Sequence, residues 1–88
     1  MEILEIQRGH ILVRVDDRTA KIEGEGFSRQ FLQPGQDESK YVDFVVYADT
    51  LTWDKPRESE ALPADIKASI LAFLKDDFKR RGQLLAIE

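Results

Sequence analysis

One stretch of this sequence repeats its apolar side chains at helical spacing, and it lies in the last quarter of the chain. Ile66, Ile70, Phe73, Leu74 and Phe78 recur at three- and four-residue intervals, with Lys67, Lys75, Asp76 and Lys79 on the other side. The spacing predicts one amphipathic helix of about five turns. Pro63 suits its first position, where a missing N–H removes no bond, and Asp65 in the first turn matches the helix dipole. Lys79, Arg80 and Arg81 fill the last turn and Gly82 offers a left-handed stop. A lone helix can shield only one side of whatever it packs on, so the rest of the fold must be built around that restriction.

The chain before the helix alternates with period two. Leu4 and Ile6 fall on one side, and after Arg8-Gly9 come Ile11, Val13 and Val15, which predicts a hairpin. Asp16-Asp17-Arg18 supplies the next turn, and Ala20, Ile22 and Gly24 alternate with Lys21, Glu23 and Glu25 in a third strand. Gly24 and Gly26 bracket Glu25 at a spacing that suits a bulge or tight reversal, with a strand over Phe27 to Leu32 beyond it. Gln33 to Ser39, holding Pro34-Gly35, reads as a loop. Tyr41 to Ala48 reads as a central strand with Val42, Phe44, Val46 and Ala48 on its apolar side, continued by Leu51 and Trp53. The segment from Asp54 to Ala61, with Pro56 and five charges, leaves the sheet. After Gly82, the run from Leu84 to Ile87 suits a short final strand. Strands first and a helix late predict an α+β fold: a curved antiparallel sheet of about five to seven strands on one C-terminal helix. At 88 residues the chain forms a single domain, residues 1–88.

The same composition narrows the chemistry. There is no Cys, so neither a disulfide scaffold nor a thiolate zinc site can be built. His10 is the only histidine, which leaves a catalytic triad without material and reads better as a polar residue beside a turn. Glu23 and Glu25 share one side of a strand and, with Asp16 or Asp17, form the one combination that suggests a metal or acid–base site; alternation on a solvent-facing strand explains them as well. Lys79-Arg80-Arg81 fits the helix dipole without any phosphate-binding loop beside it, so no nucleic acid is expected. The formal charge of −4 points to a basic partner surface: residues 1–65 hold 14 acids against 8 bases, and residues 66–88 hold 3 against 5. Asp37 and Glu38 in one loop, with Asp54, Glu58 and Glu60 in the other, are candidate partner-binding carboxylates. Tyr47 and Trp53 are candidate apolar anchors, or core. The start Met1-Glu2-Ile3-Leu4-Glu5 lacks the basic stretch of an export signal, and no apolar run approaches the roughly 20 residues that span a bilayer, so a cytoplasmic location and no membrane partner are expected.

The run Phe44-Val45-Val46-Tyr47-Ala48-Asp49-Thr50-Leu51-Thr52-Trp53, then a Pro-containing loop, then Leu62-Pro63-Ala64-Asp65-Ile66, resembles a family of small bacterial immunity proteins encoded beside polymorphic or contact-dependent inhibition toxins. The likeness covers residues 41–82. It implies a non-catalytic inhibitor, without a cofactor, that binds one cognate toxin domain and blocks its active site or substrate channel. No binding residues carry over, because such proteins diversify their toxin-facing surfaces. Two rival expectations are a regulatory or assembly module that binds a partner through a sheet edge and a small metal-dependent hydrolase using Glu23, Glu25 and an aspartate.

Overall fold

The structure, a computed structural model, describes residues 1–27, 35 and 41–88. Its elements are β1 (Glu2–Ile6), β2 (His10–Val15), β3 (Arg18–Gly26), β4 (Phe44–Val46), β5 (Thr52–Trp53), α1 (Ala64–Arg80) and β6 (Leu85–Ile87), with a short 3₁₀ turn over Ala48–Thr50. The sheet is an open six-stranded one in the order β1-β2-β3-β4-β6, and β5 also pairs with β3. Its architecture is the α+β one expected, a sheet on one C-terminal helix with a short final strand. The sheet is mixed: β1 to β5 pair antiparallel, whereas β6 lies parallel to β4. The reason is the helix, since the connection from β4 to β6 runs through α1 and a crossover of that kind delivers the second strand in the direction of the first.

Directly opposed residues share a face, so the register sorts the side chains. Ile3, Val13, Ala20 and Trp53 form one row of the covered face, Ile6, Ile11 and Ile22 the next, and Gly26, Phe44 and Leu85 another. Ile70, Leu74 and Phe78 of α1 close over these rows, and the Phe44 and Phe78 rings meet edge to face at 6.0 Å. Leu4 and Ile6 do not share a side as simple alternation implies. A register shift between Ile3 and Glu5 makes Leu4 the extra residue of a bulge, which turns Ile3 and Ile6 toward the face that α1 covers, although Ile6 at the sheet's edge stays about as exposed as Leu4.

The Gly24-Glu25-Gly26 segment is straight strand rather than a bulge or reversal. A β-carbon on Gly24 would collide with the Val45 carbonyl oxygen and lie 2.7 Å from Phe44 Cε1; one on Gly26 would lie 3.3 Å from the same ring. The two glycines therefore make the shallow bed on which Phe44 lies. The expected strand over Phe27 to Leu32 lies outside the described residues except for Phe27, as does the loop at 33–39 except for Gly35. The expected central strand at 41–48 shrinks to Phe44–Val46, because the backbone turns at Ala48–Thr50 before β5 begins. Thr50 holds that turn: its Oγ1 donates to the Tyr47 carbonyl at 2.6 Å and accepts from the Glu23 N–H at 2.9 Å. It thereby fills the junction where β3 passes from pairing with β5 to pairing with β4.

The helix begins one residue later than expected. Pro63 sits outside it with ψ of 145°, and its carbonyl accepts from Lys67 at 2.9 Å. At the other end Gly82 takes φ of +73°, with Gln83 N–H bonded to the Phe78 carbonyl and Gly82 N–H to that of Lys79, the paired bonds of a Schellman stop. That stop aims the chain back along β4. There the buried Asp43 receives it: its Oδ2 accepts from Leu84 N–H at 2.8 Å, and its own N–H donates to the Leu84 carbonyl.

Candidate partner-binding surface

The face of the sheet away from α1 carries the other rows: Glu2, Arg14 and Thr19; Glu5, Leu12, Lys21 and Thr52; His10 and Glu23; Glu25, Val45 and Ala86. Its carboxylates, Glu2, Glu5, Glu23 and Glu25, outweigh Arg14 and Lys21, and half-buried Leu12 and Val45 lie between them. Among the described residues no second helix covers this face. His10 Nε2 stands 3.2 Å from Glu5 Oε2. Gln7 donates to Glu5 Oε1 at 2.8 Å, and this bond, followed by the His10 contact, holds the Glu5 carboxyl below its ordinary value.

Tyr47 marks the acid-rich end. Its N–H donates to the Glu23 carbonyl at 2.9 Å, next to β3. Partial desolvation, then the charges of Glu25 and Glu88 and a hydrogen bond with Glu25, push its phenol up. The half-buried ring is thus an apolar plate with a neutral hydroxyl among carboxylates, a form suited to a cationic and partly apolar counterpart.

The structure places the other candidates differently. Trp53 is 3% exposed, its Nε1 donates to the Ala61 carbonyl at 3.3 Å, and Arg18 stands 5.4 Å over its ring, so it fills the core instead of anchoring a partner directly. Asp54 is half-buried and bonds through its N–H to the Thr19 carbonyl, while Glu58 is exposed in the loop beyond. Four residues of β3, about 13 Å at strand rise, separate the Thr19 carbonyl that holds Asp54 from the Glu23 carbonyl that holds Tyr47. These two therefore belong to separate patches. Asp37 and Glu38 lie outside the described residues.

Two carboxylates gather about Tyr47, Glu25 from β3 and Glu88 from just past β6, which sequence spacing does not join; alternation alone reads Glu23 and Glu25 as a possible ion site. That site does not assemble with Asp16 or Asp17, which occupy the turn at the far end of β3, about 20 Å from Glu23 at strand rise. Among the described residues no group of three or more His, Asp and Glu side chains could hold a metal ion. No helix among them is long and apolar enough to cross a membrane.

A sheet capped on one face by α1 and polar on the other, with an aromatic set among carboxylates, is a small α+β fold. The chain belongs to the Immunity protein 74 family, whose model matches residues 3–88. In general terms the role that goes with that family is toxin neutralisation. No curated protein and no solved structure matches the chain.

Proposed function

We propose that this chain neutralises one cognate toxin domain stoichiometrically, by docking the acid-rich open face of its sheet over the toxin's active site or substrate channel. The observation that supports this reading is the asymmetry of the sheet: α1 buries one face, and the other presents Glu5, Glu23 and Glu25 around half-buried Leu12, Val45 and Tyr47. Carboxylates spaced along strands can stand in for a phosphate backbone in the basic groove of a nuclease toxin, while the apolar side chains between them supply the desolvated centre that tight binding requires. Asp37, Glu38, Asp54 and Glu58 strengthen the negative field that steers the partner in, so they act on association rate more than on dissociation. The complex forms in the cytoplasm of the producing cell, with a toxin of a polymorphic or contact-dependent inhibition system, and needs no cofactor and no catalysis by this chain.

Co-expression with the toxin domain encoded next to its gene tests this. Cells carrying both genes grow and the two proteins co-elute as a one-to-one complex; arrest of growth despite a well-expressed, folded chain would contradict the reading.

A further inference from the structure

Large apolar side chains left exposed among the described residues gather on the sheet's two outermost strands: Met1, Leu4 and Ile6 at β1, and Leu84 and Ile87 at β6, with Phe27 just past β3. β6 is three residues long, whereas β1 has five and, among the described residues, pairs on one side only, with β2. An edge of that kind presents a row of free N–H and C=O groups, a template for another strand. Its two faces differ in chemistry. Glu2 and Glu5 stand on the open face, and Ile3 and Ile6 on the face that α1 covers. Ile6 also borders a cleft of about 380 Å³ whose lining includes Phe27, Phe44 and Phe78.

A second copy of this chain is a poor occupant. Pairing β1 with its own twin stands Glu2 and Glu5 of one copy beside those of the other on the same face, and like charges across a strand pair repel. A strand with Lys or Arg alternating with aliphatic residues satisfies both sides at once, its cations against Glu2 and Glu5 and its aliphatic side chains against Ile3, Ile6 and the cleft. We infer that β1 accepts an added strand from the partner, a basic–aliphatic segment of the toxin domain, which extends the sheet. This rests on the toxin-binding reading and specifies how the partner is held.

The test uses synthetic peptides. A Lys-Val-Lys-Val-Lys-Val peptide is titrated into the full chain and followed by amide chemical shifts and hydrogen exchange, beside its Glu-Val counterpart. The expected result is slowed exchange and shifts confined to residues 2–6, from the Lys-Val peptide alone. The double variant Glu2→Lys, Glu5→Lys, shown to be folded by its amide spectrum, inverts the preference, by about tenfold each way for pairs of this strength. Binding of the peptide away from β1, an unchanged preference in the double variant, or concentration-dependent dimerisation that protects residues 2–6 without peptide would overturn the proposal. Since no toxin enters this experiment, a negative result leaves the neutralising role standing. A failure of co-expression to rescue cells leaves the edge chemistry standing.

Discussion

Gly24 and Gly82 are both required by the backbone, for opposite reasons. At Gly24 the φ angle is unremarkable for a strand and the obstacle is steric, the Val45 carbonyl and the Phe44 ring. At Gly82 nothing lies within 4 Å of an added β-carbon, and the obstacle is the left-handed φ of +73°. Gly24→Ala should lower unfolding free energy by about 3 kcal/mol, as overpacking against backbone does, and Gly82→Ala by about 1 kcal/mol, both read from urea denaturation. Equal losses would mean that the strand yields to the methyl group. Tyr47 gives a second residue-level test. A phenol raised in the folded state favours the neutral form, so the stability it contributes is intact below pH 10 and lost as pH climbs through the raised value. Glu25→Gln removes a charge and weakens a hydrogen-bonded partner, so the phenolate absorbance of Tyr47 should appear at lower pH than in the parent chain. An unmoved titration would show that Glu25 does not face the ring. Sequence pattern singles out Tyr47 and Glu25 separately but does not join them or add Glu88, because Glu25 reaches the ring from β3 and Glu88 from just past β6, and only the sheet register brings them together.

The helix was legible in advance because one periodicity, one proline and one glycine agree on it. Its stripe is graded, however: Ile70, Leu74 and Phe78 are buried, whereas Ile66 and Phe73 pack against the core from the side and keep part of their surface wet. Phe78→Ala should therefore destabilise by about 3–5 kcal/mol and Phe73→Ala by clearly less, about 2 kcal/mol, since the cost of truncation follows burial. Thermal or urea unfolding of the two variants decides it; a Phe73→Ala loss as large as that of Phe78→Ala would place Phe73 in the core. The strands were legible where alternation is unbroken, as in β2 and most of β3. They were misread where tertiary partners override it. A bulge at Leu4 shifts the phase of β1, and the Gly24-Glu25-Gly26 spacing that resembles a turn is there to admit Phe44. Thr50, with no apolar pattern to announce it, ends β4 through two hydrogen bonds.

At the scale of the molecule, α1 covers one face of the sheet and, among the described residues, no other helix covers the second, which leaves one face dry and one wet. The single helix was visible in the spacing of Ile66 to Phe78; which residues populate the wet face was not, because that depends on the phase of each strand after its bulge or turn. Trp53 illustrates the difference. Its alternation with Leu51 is compatible with either side, and the pairing of Ala20 with Trp53 sends the ring into the core beside Arg18. The wet face is the proposed toxin-binding surface. Hydrogen–deuterium exchange of the chain, free and in complex with its toxin domain, measures this directly. Slowed exchange should map to β1, the outward rows of β2 and β3, and the segment around Tyr47, with the solvent side of α1 unchanged. Protection confined to the exposed surface of α1, with the open sheet face exchanging as in the free chain, would contradict it.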